Sequence, residues 1–76
     1  MVAYVLVQTD VRVGGDVVRE ISGIKGVVAA EAVTGPYDVI AKAEANNLDE
    51  LGTLVIRQIQ SVAGVTRTLT CPVLHE

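Results

Sequence analysis

Seventy-six residues are about half the length of a typical domain, which excludes a catalytic domain joined to a recognition domain and leaves a single unit over residues 1–76. Half of the residues are apolar, with fifteen Val and five Ile against no Phe, no Trp and two Tyr. That composition excludes intrinsic disorder and favours pleated sheet. A net charge of −3 with no basic run gives a phosphate backbone little to neutralise and argues against direct nucleic-acid binding.

The chain opens on an apolar run, Val2 to Gln8, of strand length. The apolar start Val2 to Val7 is too short to span a bilayer and carries neither a charged leader nor a small-residue cleavage site, so no export or anchoring signal is expected. One cysteine, Cys71, cannot close an internal disulfide and fits a reducing compartment. The expected location is cytoplasmic.

A helix is predicted from near Gly15 to near Ser22. Gly23 follows it, where a left-handed residue commonly closes the last turn, and Gly26 is placed at the opening of a strand. Two strands are expected next, Val27 to Thr34 and Asp38 to Ala45, separated by Gly35, Pro36 and Tyr37, whose composition marks a tight turn. Asn47 with Glu50 three residues later is an N-cap with its capping-box partner, so a second helix is predicted over Leu48 to Ser61, closed by Gly64. A last strand runs from Thr66 to Val73.

The sequence also repeats itself. Ile21, Ile24, Gly26 and Val27 return 38 residues later as Ile59, Val62, Gly64 and Val65. The apolar set 13, 17, 21, 24 maps onto 51, 55, 59, 62, both stepping by 4, 4, 3, the period of a helix with one buried stripe. Two similar halves in the order strand, helix, strand, strand, helix, strand are the ferredoxin-like βαββαβ pattern, an α+β fold. Right-handed crossovers put both helices on one face of a four-stranded antiparallel sheet. The other face is then bare.

That bare face measures roughly 400 Å², from strand rise and spacing, about the size of a patch that marks an interaction site. A chain this short buries only about 60% of its unfolded surface, yet half of its residues are apolar. The strands carry few charges: Glu31, Lys42, Glu44 and Arg67. Two chains are therefore expected to stack sheet to sheet as a C2 homodimer.

Chemically reactive groups are few. The only histidine, His75, reads as a solvated tail residue, and Cys71, with no His or Lys beside it, reads as a small buried hydrophobe. Neither CxxC nor HxxxH nor a carboxylate cluster of ligand spacing occurs, so no metal is expected. Gly14-Gly15 is not a GxGxxG or P-loop fingerprint and reads as a helix entrance, so no cofactor is expected either. The most informative stretch is Thr34-Gly35-Pro36-Tyr37-Asp38. Gly lets the backbone approach a ligand, Tyr offers a flat ring with a hydroxyl, and Asp supplies an acceptor-only carboxylate. Such parts could hold an amino-acid zwitterion, its carboxylate met by backbone N–H groups that the turn leaves unpaired. They also fit a plain turn in which Tyr37 covers the sheet edge and Asp38 accepts a local backbone bond.

Three segments together resemble a known family. They are Val33-Thr34-Gly35-Pro36-Tyr37-Asp38 before an alternating strand, Asp49-Glu50-Leu51-Gly52 at the second helix, and Gly64-Val65-Thr66-Arg67-Thr68-Leu69-Thr70 at the last strand. The chain, from Val2 to Leu74, resembles the C-terminal effector-binding (RAM) domain of the Lrp/AsnC feast/famine transcription regulators. The resemblance implies a dimeric α/β barrel of ferredoxin-like protomers, often four dimers in an octameric ring, with an amino-acid effector between dimers. By motif position it assigns Gly35, Tyr37 and Asp38 to the effector, with Thr66 and Thr68 on the last strand. The family's helix-turn-helix domain is missing from this sequence, so the expectation is a stand-alone, non-enzymatic amino-acid sensor that acts by assembling with full-length Lrp/AsnC regulators.

Two other functions fit the same fold. Small dimeric α/β-barrel enzymes, such as cofactor-free monooxygenases and isomerases, share it, and fold alone does not decide function. Those enzymes generally place a His, Asn or Trp in a cleft between helices and sheet, and a roomy polar cleft would favour them. The remaining alternative is an oligomerisation module whose turn binds nothing.

Overall fold

The computed structural model describes residues 1–10 and 14–74. Its elements are β1 (Val2–Thr9), α1 (Gly14–Ser22), β2 (Val27–Ala32), β3 (Val39–Glu44), α2 (48–60) and β4 (Val65–Pro72). The strands form one antiparallel sheet in the order β2-β3-β1-β4. This is the ferredoxin-like arrangement expected from the two half-repeats.

Alternation along the two central strands decides where the core lies. Ala3, Val5 and Val7 of β1 and Val39, Ala41 and Ala43 of β3 are buried, and they meet Val17 and Ile21 of α1 and Leu51, Val55 and Ile59 of α2. Ile24 and Val62 pack against this core partly buried. The apolar stripes read from the sequence are therefore the buried ones, except that Val13 lies outside the described residues.

The halves agree down to single hydrogen bonds. Ile24 N–H donates to the Ile21 carbonyl and Val62 N–H to the Ile59 carbonyl, both at 3.1 Å; Val27 N–H reaches the Ile24 carbonyl at 3.0 Å and Val65 N–H the Val62 carbonyl at 3.1 Å. Gly26 and Gly64 turn the chain into β2 and β4 with φ of 101° and 97°. This corrects the role expected of Gly23, which lacks a positive φ. The N–H of Gly23 simply continues the helix, bonding to the Arg19 and Glu20 carbonyls at 3.2 Å, as Ser61 N–H bonds to those of Arg57 and Gln58. Ser61 stands where the repeat places the equivalent of Gly23, so that position does not require glycine.

The second helix begins as predicted. Asn47 Oδ1 accepts from Glu50 N–H at 2.8 Å, and Glu50 Oε2 accepts from Asn46 N–H at 3.1 Å, one residue earlier than a capping box would have it. Its middle departs from the prediction. Between the α-helical turns Leu48–Glu50 and Arg57–Gln60, the segment Leu51–Ile56 is π-helical, with Arg57 N–H donating to the Gly52 carbonyl. The hydroxyl of Thr53 donates to the Asp49 carbonyl at 2.7 Å, competing there with main-chain donors. Gly52 and the β-branched residues after it hold the α form weakly.

The face away from the helices is uncovered. Register places Glu31, Ile40, Leu6 and Leu69 in one row across it and Ala29, Lys42, Tyr4 and Cys71 in the next, while Arg67 stands opposite Gln8. Tyr4 is 43% and Leu69 46% exposed. Cys71 is exposed as well, contrary to the buried role expected of it: it pairs with Tyr4, whose neighbours Ala3 and Val5 face the core, so it must point away from the helices.

Candidate functional site

The residues singled out in the sequence gather at one end of the sheet. Antiparallel pairing brings the end of β1, the start of β3 and the start of β4 to the same edge, and the 33–38 turn closes over it. Val33 N–H donates to the Asp38 carbonyl at 2.9 Å, and Asp38 N–H to the Val7 carbonyl at 2.9 Å. The Asp38 carboxylate takes Thr9 N–H on Oδ2 at 2.8 Å. Gln8 Nε2 donates to the Pro36 carbonyl at 3.3 Å. Gly35, at φ 136°, gives the turn its left-handed bend, and Tyr37 and Asp38 are half-buried beside exposed Gly35 and Pro36.

On the far side of β1, the Thr66 hydroxyl donates to the Gln8 carbonyl at 3.1 Å. The Thr68 hydroxyl accepts from Gln60 Nε2 at 3.0 Å. With Arg67 and Val65 these residues line a shallow hollow of about 200 Å³ on the β4 edge.

The five residues thus form two groups rather than one pocket. Gly35, Tyr37 and Asp38 sit before β3, Thr66 and Thr68 on β4, and β1 runs between them. The Asp38 carboxylate, bonded to Thr9 N–H, and the Thr66 hydroxyl, bonded to the Gln8 carbonyl, sit on opposite sides of one β1 peptide. Gln8 ties the groups together, and sequence reasoning passed over it. Its signal was present: it is the polar residue that follows the apolar run Val2 to Val7.

A larger cleft, about 340 Å³, opens at the opposite end of the sheet against α2, with Lys25, Asn46, Glu50 and Gln58 among its polar lining. This is the kind of cleft the enzyme alternative looks for. Part of its polarity is already committed, because the Asn46 N–H, the Glu50 N–H and the Glu50 carboxylate build the α2 cap. Among the described residues no three His, Cys, Asp or Glu side chains are grouped to hold a metal ion, and no helix is long and apolar enough to cross a membrane. His75 lies outside the described residues.

A family model, the Lrp/AsnC ligand-binding domain, matches residues 2–76. The chain belongs to that family. It is 34% identical over 71 residues to an uncharacterized HTH-type transcriptional regulator of Pyrococcus furiosus, covering 90% of this chain and 47% of the relative. The chain therefore spans about half the length of that regulator. It is also 41% identical over 60 residues to homocitrate synthase of Sulfurisphaera tokodaii, where the match takes in 79% of this chain but 13% of the enzyme. The Lrp/AsnC domain fold is reproduced in AsnC of E. coli, with TM-score 0.88 at 20% identity over 99% of this chain and 51% of that one. A transcriptional regulator of Neisseria meningitidis solved in complex with L-Met gives TM-score 0.79 at 20% identity over 99% and 50%.

Proposed function

We propose that this Lrp/AsnC ligand-binding domain senses an amino acid and is a single unit over 1–76 that works as an oligomer. Two chains stack through the uncovered sheet faces as a dimeric α/β barrel, and dimers assemble further, with an octameric ring as the expected end state. The effector sits between subunits, held by Gly35, Tyr37 and Asp38 of one chain and approached by Thr66 and Thr68 of another. Transcription is then modulated through full-length Lrp/AsnC regulators that carry the DNA-binding domain.

The observation that carries this reading is the convergence of all five residues on one end of the sheet, in two groups that flank one peptide of β1. Support for an amino acid comes from the Neisseria meningitidis relative, whose structure holds L-Met. The turn also suits a zwitterion: its carboxylate is positioned by a main-chain bond, and a glycine beside it leaves the backbone open.

Isothermal titration against the twenty amino acids tests the proposal. At least one is expected to give saturable heat, and Asp38→Asn is expected to weaken it at least tenfold. Asparagine keeps an oxygen for Thr9 N–H while removing the charge that an ammonium seeks. No heat and no melting shift with any amino acid at millimolar concentration would overturn the reading.

A further inference from the structure

The charges on the uncovered sheet face prescribe how two copies stack. Alternation alone could have put them on either face, yet register places Glu31, Lys42, Glu44 and Arg67 all on the helix-free side. Glu31 stands on the edge strand β2 and Arg67 on the opposite edge strand β4. Three strand spacings, about 14 Å, keep them from pairing within a chain. One edge of the face is thus acidic and the other basic, with Leu6, Ile40, Leu69 and Tyr4 between them.

Two face-to-face arrangements satisfy a two-fold axis. An axis running across the strands lays each strand over its own copy, acidic edge on acidic edge and basic on basic. An axis running along the strands lays β2 over the partner's β4 and β3 over the partner's β1. We propose that the second arrangement forms, and that Glu31 with the partner's Arg67, twice per dimer, selects it. This inference rests on the sheet-face dimer of the preceding section and names the residues that orient it.

The geometry is compatible. Glu31 lies in the row of Leu69, one row from Arg67 along the strand, an offset of about 7 Å that two long side chains span between stacked sheets. The same axis lays Lys42 over the partner's Tyr4, a cation over an aromatic face. Area points the same way. Two faces of roughly 400 Å² together cover less than the ~1,200 Å² of a standard stable interface, so the edges must contribute, and only this arrangement sets unlike edges side by side.

Charge reversal with sedimentation equilibrium tests the pairing. Glu31→Arg alone and Arg67→Glu alone are each expected to raise the dimer dissociation constant about tenfold or more, since two attractions become two repulsions. An equimolar mixture of the two variants is expected to dimerise at least as tightly as the unaltered protein, because every edge then meets its opposite. Recovery in the mixture excludes misfolding as the cause of the loss. If both single variants dimerise like the unaltered protein, the pairing is overturned while the dimer stands. If the unaltered protein is itself monomeric, the dimer and the pairing fall together.

Discussion

Gly26→Ala is expected to be strongly destabilising for the addition of a single methyl group. Gly26 holds φ 101°, and a Cβ built there would lie 2.7 Å from Val55 Cγ2 and 3.2 Å from the Glu44 carbonyl oxygen. Left-handed backbone costs an alanine about 1–2 kcal/mol. Displacing Val55, which is 3% exposed in the core, adds the overpacking cost of about 1–3 kcal/mol. The main-chain side cannot retreat, because Glu44 N–H is bonded to the Gly26 carbonyl at 2.7 Å. The total, about 2–5 kcal/mol, is a large part of the roughly 4–11 kcal/mol that a chain of this length is expected to hold. Thermal unfolding at fixed protein concentration, needed because association shifts the midpoint, should show Tm lowered by roughly 10–40 °C. Gly35→Ala is the internal control: φ is 136° there, but nothing lies within 4 Å of the added carbon, so it pays the backbone cost alone. Equal losses for the two variants would refute the argument from the Val55 contact.

Other expectations follow from single contacts. Asp38→Ala removes the acceptor of Thr9 N–H and should cost about 1.5–3 kcal/mol by urea unfolding, whereas Asp38→Asn should cost much less and still weaken amino-acid binding; equal stability losses would show that the bond contributes nothing. Asn47→Ala deprives Glu50 N–H of its cap, and chemical unfolding should record a loss of about 1 kcal/mol. Leu69→Lys, on the uncovered face, should leave the circular dichroism spectrum intact while shifting sedimentation toward the monomer; an unchanged oligomer would place the interface elsewhere.

Much of the fold was readable because local signals and the repeat agreed. The 4, 4, 3 spacing put Val17, Ile21, Leu51, Val55 and Ile59 in the core, where they are buried, and Asn47 and Glu50 marked the start of α2. What escaped depended on contacts distant in sequence or on weak local preferences. The exposure of Cys71 follows from its register with Tyr4 across β1, and no local pattern in Thr70-Cys71-Pro72 reveals which face a strand residue takes. The π-helical segment arises where Gly52 and Thr53 loosen a helix that its capping residues and apolar spacing otherwise describe well. Position just past the helix points to Gly23 as the left-handed residue, whereas comparison with Ser61 and Gly64 across the repeat points to Gly26. At the candidate site, the turn chemistry was visible, but the bond from Asp38 to Thr9, 29 residues away, and the division into two groups by β1 appear only once the strand order is known.

Everything proposed for this domain requires that helices shield one side of the sheet and a second copy the other. Sedimentation velocity of the unaltered protein at micromolar concentration measures this directly. The account predicts a dimer or a multiple of it with no free protomer; a single species at the 8.0 kDa mass of one chain would contradict it.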